Sequence, residues 1–302
     1  MEPCLWQGVN FAKTIAYLWD LPIIPTNHIE GHIIANWLKP ISSKSKIKNQ
    51  KSKIQLKIKK LLPAICLVVS GGHTQLILMK DIGKYKIIGE TRDDAAGECF
   101  DKTARILGIG YPGGPAIAKM ATKYKMPTVR PLFAHCSHTA HSTQQDTKYK
   151  IQDTKYKIHL PRPMIYQKNY DFSFSGLKTA VLYDFKKQSS KVRKSKEYIK
   201  EMCSEIQQAV IDVLIYKTLK AVKDFKVKTI ILGGGVAANE ELRKQFNYQL
   251  KTINYKLKFL VPPKIFCTDN AAMIAVVAYF HWQKGETKNW EDIKTNANLR
   301  IS

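Results

Sequence analysis

Apolar positions along the chain form short continuous runs and longer helical spacings, which together predict alternating strands and helices. The predicted strands are residues 23–26, 64–69, 75–79, 86–91, 170–174, 229–232 and 265–267. The predicted helices are residues 6–19, 28–38, 94–107, 195–225 and 271–282, with others beginning after Pro115, at Ser175 and after Asn239. Asp94 is the expected cap of the helix at 94–107, and the helix at 195–225 is expected to be amphipathic. The pattern predicts an α/β fold.

Glycine-rich turns follow two of the predicted buried strands. Ser70, Gly71 and Gly72 join the strand at 64–69 to the next one, and residues 233–235 separate the strand at 229–232 from a helix. A third glycine-rich loop, GIGYPGGP, spans residues 108–115. Backbone N–H groups in such turns and at helix N-termini bind phosphate. A nucleotide-binding unit is indicated, but the absence of GxGxxG disfavours a dinucleotide fold.

Two histidines, His28 and His32, are four residues apart in a helix that Asn27 is expected to cap. This spacing places both imidazoles on one helix face, where they either bind one metal ion or are ordinary polar positions. Glu30 does not make the motif a metallopeptidase motif, because zincins place glutamate directly after the first histidine. Asp269, at a predicted junction of strand and helix, is either an N-cap or a carboxylate ligand.

The composition adds a strong positive charge. The chain has 49 lysines and arginines against 24 acidic residues, a formal net charge of +25, which fits a nucleic acid partner. Only 7 of the basic residues are arginine, so loose lysine contacts are expected rather than bidentate ones. The six cysteines form no CxxC pair, and no apolar run is long enough to span a bilayer. A soluble, cytoplasmic protein is predicted.

Two segments interrupt the pattern. Residues 39–60 contain nine lysines and no acidic residue, which predicts a mobile linker or insertion that the fold does not need. Residues 132–160 are of low complexity, with the heptad QDTKYKI repeated in tandem from Gln145 and from Gln152, and they predict a disordered surface insertion. The histidines of this second segment are interpreted as incidental: His135, His138, His141 and His159.

Six collinear motifs resemble one family over nearly the whole chain outside these two segments. They are HIEGH, VVSGGHTQL, DDAAGECFDKTARILGIGYPGGP, FSFSGLKTAV, LGGGVAAN and CTDNAAMIA. Their order and sequence are similar to those of the tRNA threonylcarbamoyladenosine synthase catalytic subunits, which belong to the actin-like superfamily of two-lobed ATPases and sugar kinases.

The resemblance implies a site and a reaction. His28, His32 and Asp269 match the family's metal ligands, and the implied cofactor is one divalent metal ion, Fe²⁺ in preference to Zn²⁺. The positions that match the substrate-binding residues are Val68, Val69, Ser70, Gly71, Gly72, Asp101, Gly114 and Asn239. The implied reaction transfers threonylcarbamoyl from its adenylate to the exocyclic amine of the adenosine beside a tRNA anticodon. The implied partners are tRNA, threonylcarbamoyl-adenylate, a paralogous non-catalytic subunit and a small P-loop ATPase, and no membrane. No general base is apparent.

One departure from the family concerns the first lobe. Family members begin with strands that carry a TSCDET-like turn, and no such segment is present, so the first lobe is expected to be incomplete and the chain inactive by itself. The expected division assigns 1–40 and 270–302 to lobe one, 41–62 to a lysine-rich hinge insertion, and 63–269 to lobe two with an insertion at about 133–160.

Three other functions stay open at this point. The first is a metal-dependent peptidase, an older description of this family, and the second is a non-catalytic paralogue, which would be expected to lack the histidine pair. The third is a sugar kinase or another ATPase on the same fold, although no P-loop is present.

Overall fold

The fold is built on a five-stranded mixed sheet. A computed structural model of the chain describes residues 2–40, 56–124, 155–252, 257–296 and 299–301. The strands are β1 Ala64–Val69, β2 Thr74–Asp81, β3 Lys84–Glu90, β4 Thr229–Gly233 and β5 Lys258–Leu260. The helices are α1 Glu2–Trp19, α2 His28–Ile34, α3 Ala96–Leu107, α4 Gly113–Ala121, α5 Ser175–Lys187, α6 Ser190–Arg193, α7 Lys196–Asp224, α8 Glu240–Thr252 and α9 Ala271–Gln283.

The strand order is β3-β2-β1-β4-β5, with β1 antiparallel to β2 and parallel to β4. The chain leaves β1 towards β2 on one side of the sheet, and it leaves β4 towards β5 on the other side. In α/β folds, a crevice forms outside the carboxyl ends of two such neighbouring strands and often binds a ligand. Both carboxyl ends lead into glycine-rich turns, so the topology places those two turns side by side.

The two faces of the sheet carry separate apolar cores, because strand side chains alternate in direction. Ile65, Leu67 and Val69 pack with side chains of α3, α4 and α7 on one face. Ala64, Cys66 and Val68 pack with α2 and α9 on the other. The whole of β1 is buried, as its unbroken apolar run predicts.

Helix α7 is more deeply buried than an amphipathic helix, so that prediction is wrong. Of its 29 residues, 21 are buried, and several of these are acidic. Glu201 accepts hydrogen bonds from the backbone N–H groups of Tyr156 and Ile158, both at 3.2 Å. Arg162 contacts Glu205 and donates from Nε to Asp212 at 3.0 Å. These contacts bind residues 155–163, here called the strap, along the helix.

The strap corrects the predicted extent of the second insertion. Ile158 and Leu160 are buried in the core beneath the sheet, although residues 132–160 are predicted to be disordered. The sequence pattern misses this because the acids that bind the strap's backbone are about 45 residues away. The first heptad copy and His135, His138 and His141 lie outside the described residues, and His159 is exposed.

The C-terminal end of the lysine-rich segment is not mobile as predicted. Residues 41–55 lie outside the described part of the chain, but residues 56–59 form a helical turn. Ile58 in that turn is fully buried against the α2 side of the sheet, with Ile33 and Met79 in the same cluster. At least this end of the segment belongs to the core.

We expect Ile58→Ala to lower the free energy of unfolding by about 2–5 kcal/mol, the usual cost of truncating a buried isoleucine. Leu56→Ala, two residues earlier on an exposed side chain, is the matched control and should change stability by less than about 0.5 kcal/mol. Urea unfolding of both variants measures the difference. Equal midpoints for Ile58→Ala and wild type would show that the turn does not contribute to the core.

Three predicted strands are wrong. Ile23 makes a single bridge with Lys288, and Phe172 a single bridge with Thr91, so 23–26 and 170–174 are not strands of the described sheet. The predicted strand at 265–267 is mostly a 3-10 turn, Lys264–Phe266. An apolar run becomes a strand only where a neighbour completes its ladder, and a single sequence does not show the neighbour.

Helix α1 lies at the surface. Tyr17 contacts Trp290 with ring centroids 5.3 Å apart, and the apolar face of the helix is otherwise largely exposed. Its exposed large side chains are Leu5, Trp6, Phe11, Tyr17, Leu18 and Trp19. None of the helices among the described residues has the length and apolar character needed to cross a bilayer.

Candidate metal centre and adjoining cleft

Three predicted ligands meet at the start of α2. The Asn27 side chain accepts the Ile29 N–H at 2.9 Å, which begins the helix at His28 and confirms the predicted cap. The Nε2 atoms of His28 and His32 lie 3.3 and 3.2 Å from Oδ1 of Asp269. All three donor atoms lie within 4.8 Å of one another, so one ion could contact them together.

Asp269 is not the N-cap of α9. That position is taken by Asn270, whose Oδ1 accepts the Met273 N–H at 2.9 Å. The Asp269 carboxylate instead faces the two imidazoles. Of the two roles that the sequence left open for Asp269, N-cap or ligand, the N-cap role is excluded.

The environment of His32 fits a metal ligand. Its side chain is 1% exposed, and the one polar group of the described residues near its ring nitrogens is the Asp269 carboxylate, 3.2 Å from Nε2. Burial, and next the nearby His28, lower the pKa of His32 to about 4, so the ring is neutral at pH 7 and its lone pair is free. A divalent cation between Nε2 and the carboxylate would be a stronger partner for both of these buried or acidic atoms than they are for each other.

The remaining two ligands are open to solvent. The side chains of His28 and Asp269 are 46% and 76% exposed, so a bound ion would keep positions facing outward. Two imidazoles and one carboxylate form a donor set used by both zinc and non-haem Fe²⁺ sites with open positions. The residues present thus fit the cofactor that the resemblance implies.

Glycines allow helix α2, which carries the two histidines, to approach the sheet. A Cβ at Gly233, the last residue of β4, would lie 2.8 Å from the carbonyl oxygen of His32. A Cβ at Gly234 would lie 2.3 Å from the carbonyl oxygen of Val69. Hence the turn after β4 is in backbone contact with α2 on one side and with β1 on the other.

The five residues predicted to form a substrate-binding turn divide into two groups. Val68 and Val69 are fully buried in β1, so their side chains belong to the core. Ser70 is half-buried, and Gly71 and Gly72 are exposed. Ser70 closes the turn: its Oγ accepts the His73 N–H at 3.1 Å.

Asp101 and Gly114 are brought together through the start of α4. The Asp101 carboxylate accepts the Gly113 N–H at 2.7 Å, which fixes the glycine turn against α3. Asn239, predicted at the same cleft, caps α8 by accepting the Leu242 N–H at 3.0 Å and donates to Gln207 at 3.0 Å. Helix α3 also contacts the 3-10 turn Gly235–Ala238 just before Asn239, and the surface where these positions meet is the candidate cleft.

The predicted cap of α3 is wrong. Asp94 pairs with Lys102 at 2.6 Å, and the N–H of Ala96 donates instead to the hydroxyl of Thr74, at 2.9 Å. A hydroxyl from β2 thus begins the helix, which ties α3 to the glycine turn that precedes that strand. Thr74 and Ala96 are 22 residues apart, so a pattern within a short window of sequence does not show this hydrogen bond.

Two residues near the site were not singled out from the sequence. The pKa of His73 is lowered by burial and then by the nearby His28, so this imidazole lies close to the candidate ligands. The Asp93 carboxylate accepts the hydroxyls of Ser173 and Ser175, both at 2.6 Å, and so holds the start of α5. His73 lies between the glycine turn and the first residue of β2, Thr74, so no periodic pattern in the sequence indicates that it approaches His28.

Comparison with known proteins gives a consistent result. The profile of the tRNA N6-adenosine threonylcarbamoyltransferase family, TsaD, matches residues 1–276. A protein of that name from Syntrophomonas wolfei is 40% identical over 278 residues, covering 92% of this chain and 67% of the relative. Relatives of the same name from Thermomicrobium roseum and Thermosipho africanus are 39% and 40% identical, covering 98% of this chain and 73% and 74% of their own lengths.

Proposed function

Because this chain belongs to the tRNA N6-adenosine threonylcarbamoyltransferase family, we propose that it transfers a threonylcarbamoyl group from threonylcarbamoyl-adenylate to tRNA. The acceptor is the exocyclic amine of the adenosine next to the anticodon, in tRNAs that read codons beginning with A. Family membership over residues 1–276 carries the proposal, and the actin-like fold of the family accords with the mixed sheet and its flanking helices.

His28, His32 and Asp269 are the proposed ligands of one divalent metal ion, Fe²⁺ in preference to Zn²⁺. When bound, such an ion supplies Lewis-acid stabilisation of phosphate or carbonyl oxygens. The neutral, buried His32 provides the fixed ligand, and the exposed His28 and Asp269 form the open side on which substrate would enter.

The adjoining cleft is the proposed site of the adenylate. Exposed N–H groups of Gly71 and Gly72, and the start of α4 at the glycine turn, are suited to phosphate and ribose oxygens. Asp101, Gly114 and Asn239 border the cleft. Asp101 and Asn239 already form hydrogen bonds within the protein. They would therefore contact the nucleotide with the lone pairs and N–H groups that are not used in those bonds.

A peptidase function is not supported by the site. A metallopeptidase needs a general base beside the metal-bound water, and Glu30 is the acidic residue within the histidine motif. Glu30 is directed away from the ligands and accepts hydrogen bonds from Tyr85 and His281. The intact histidine pair likewise disfavours a non-catalytic paralogue.

The proposed partners are a paralogous subunit, a small P-loop ATPase and tRNA. The net charge of +25 supports the last of these, because lysines near a polyanion release counterions on binding. A cytoplasmic location accords with such a substrate.

Transfer of labelled threonine onto tRNA tests the function directly. The purified chain, supplemented with the partner proteins and with threonylcarbamoyl-adenylate, should label a tRNA that reads codons beginning with A. The same tRNA with guanosine in place of the acceptor adenosine is the matched control. Labelling no greater than that of the control tRNA would contradict the proposal.

A further inference from the structure

Glu30 lies in the middle of the motif HIEGH, and the proposed function gives it no role. It lies two residues from both His28 and His32, and positions two apart on a helix face nearly opposite directions. Its side chain is 4% exposed, on the side of α2 away from the metal cluster. An acidic side chain buried to this degree requires partners that offset its desolvation.

Two such partners are present, and each comes from a different element. The Tyr85 hydroxyl, on β3, donates to Oε1 of Glu30 at 2.8 Å. His281 Nε2, on α9, lies 2.9 Å from Oε2. The other ring nitrogen of His281 contacts Glu286, so the imidazole is held from both sides. Glu30 thus joins α2 to the sheet and to the last turn of α9.

Helix α9 also carries the third proposed metal ligand at its opposite end. Asp269 directly precedes the cap of α9, and the helix then crosses α2 at Gly31, where an added Cβ would lie 3.2 Å from Met273 and Ile274. His281 is eight residues beyond Met273, about 12 Å along the helix axis. The crossing therefore lies between the Asp269 contact and the Glu30 contact.

Beyond the crossing, Ile29 and Ile33 share an apolar cluster with Val277 and Phe280. Such apolar packing is non-directional and tolerates small changes of angle, whereas a hydrogen-bonded contact far from the crossing opposes them. A rotation of α9 about the crossing would move Asp269 relative to both histidines. We propose that Glu30 is a positioning residue of the metal centre, whose contacts with His281 and Tyr85 fix the angle between α2 and α9 and so the position of Asp269. This inference rests on the proposed metal site.

Metal binding by the full chain tests the proposal without any enzymatic activity. The probe is Co²⁺, whose affinity is measured by competition with a chelator and whose visible absorption reports the ligand geometry. Glu30→Ala should weaken Co²⁺ binding about tenfold and alter the absorption band. A tenfold loss is the lower end of the range of affinity losses, about 10-fold to 100-fold, seen when the residues that support metal ligands are removed. Glu30→Gln should stay within about threefold of wild type, because the amide keeps the shape of the side chain and its oxygen still accepts from Tyr85.

Glu201→Ala is the matched control. Glu201 is as deeply buried as Glu30 and also accepts two hydrogen bonds, but it lies on α7 and holds the strap. It should lower the melting temperature and leave Co²⁺ affinity and absorption unchanged. Should Glu30→Ala fail to fold, Tyr85→Phe, which removes one hydroxyl, is expected to weaken Co²⁺ binding by about threefold.

Wild-type Co²⁺ affinity and absorption in folded Glu30→Ala, or in Tyr85→Phe if the former does not fold, would overturn the inference. So would an equal loss of affinity in Glu201→Ala, since general destabilisation would then explain both. His32→Ala separates this result from failure of the proposed metal site: if His32→Ala binds Co²⁺ like wild type, the site itself is wrong and the inference falls with it.

Discussion

His32→Ala is expected to abolish stoichiometric metal binding and to reduce threonylcarbamoyl transfer to the level of the uncatalysed control. His32 is the buried member of the ligand set, and its Nε2 lies 3.2 Å from the Asp269 carboxylate. The two exposed ligands that remain could not hold an ion with comparable affinity, because both can rearrange in solvent. Metal content after gel filtration and labelled transfer to tRNA measure the two effects.

The same substitution should have little effect on the metal-free protein. Truncation of a buried side chain leaves a cavity, but the unpaired buried Nδ1 of His32 already costs about 1–3 kcal/mol. Because these two effects oppose each other, the free energies of unfolding of metal-free wild type and metal-free His32→Ala should differ by less than about 2 kcal/mol. Zn²⁺ at about 100 times its dissociation constant should then stabilise wild type by about 2.7 kcal/mol and leave the variant unchanged.

His159→Ala is the control for this prediction, since His159 is an exposed histidine on the strap. It should retain full metal content and the full thermal response to Zn²⁺. A His32→Ala protein that carries as much metal as wild type would contradict the assignment of the site.

Gly234→Ala is expected to have the largest effect on stability. The residue has φ 87° and ψ 168°, a conformation that is essentially restricted to glycine and costs another residue about 1–3 kcal/mol. The added Cβ would also lie 2.3 Å from the Val69 carbonyl oxygen, an overlap with strand backbone that no side-chain rotation can relieve. Together these should lower the free energy of unfolding by about 3 kcal/mol or more.

Gly235→Ala, the adjacent glycine, is a close control. An added Cβ there meets nothing nearer than the Thr268 methyl group at 4.0 Å, and its φ is not positive. Its unfolding midpoint in urea should lie near that of wild type. If Gly234→Ala does not accumulate as folded protein while Gly235→Ala does, the prediction also holds; equal midpoints for the two would contradict it.

The sequence predicted the helix that carries the two histidines well, because that information is local; the metal ion itself stays a prediction. The i, i+4 spacing places His28 and His32 on the same face of any α-helix, and the Asn27 side chain caps that helix as predicted. The run at 64–69 is likewise a strand at every predicted residue, because six consecutive buried apolar residues have few alternatives. The meeting of Asp269 with the histidines came from family resemblance rather than from spacing.

The errors have a common physical cause, which is that the partner is distant in sequence. The cap of α3 is a hydroxyl 22 residues earlier, and the bridge at Ile23 pairs with Lys288. Glu30 is bound by residues 55 and 251 positions away. Patterns within a short window cannot show such partners, so the role of Glu30 becomes visible only in three dimensions.

The inward direction of several acidic side chains has a consequence for how the protein responds to ionic strength. Glu201, Glu205 and Asp212 are buried against the strap, and Glu30 is buried between α2 and α9, so dissolved ions have little access to their contacts in a chain of formal charge +25. Exposed lysines are screened over about 10 Å at 0.1 M salt, whereas buried ion pairs are screened much less.

Added salt should therefore slow the encounter with a polyanion, whose electrostatically steered rate can fall by about 10-fold to 1,000-fold, while the contacts that bind the strap persist. The protein would lose speed of association well before it loses its fold.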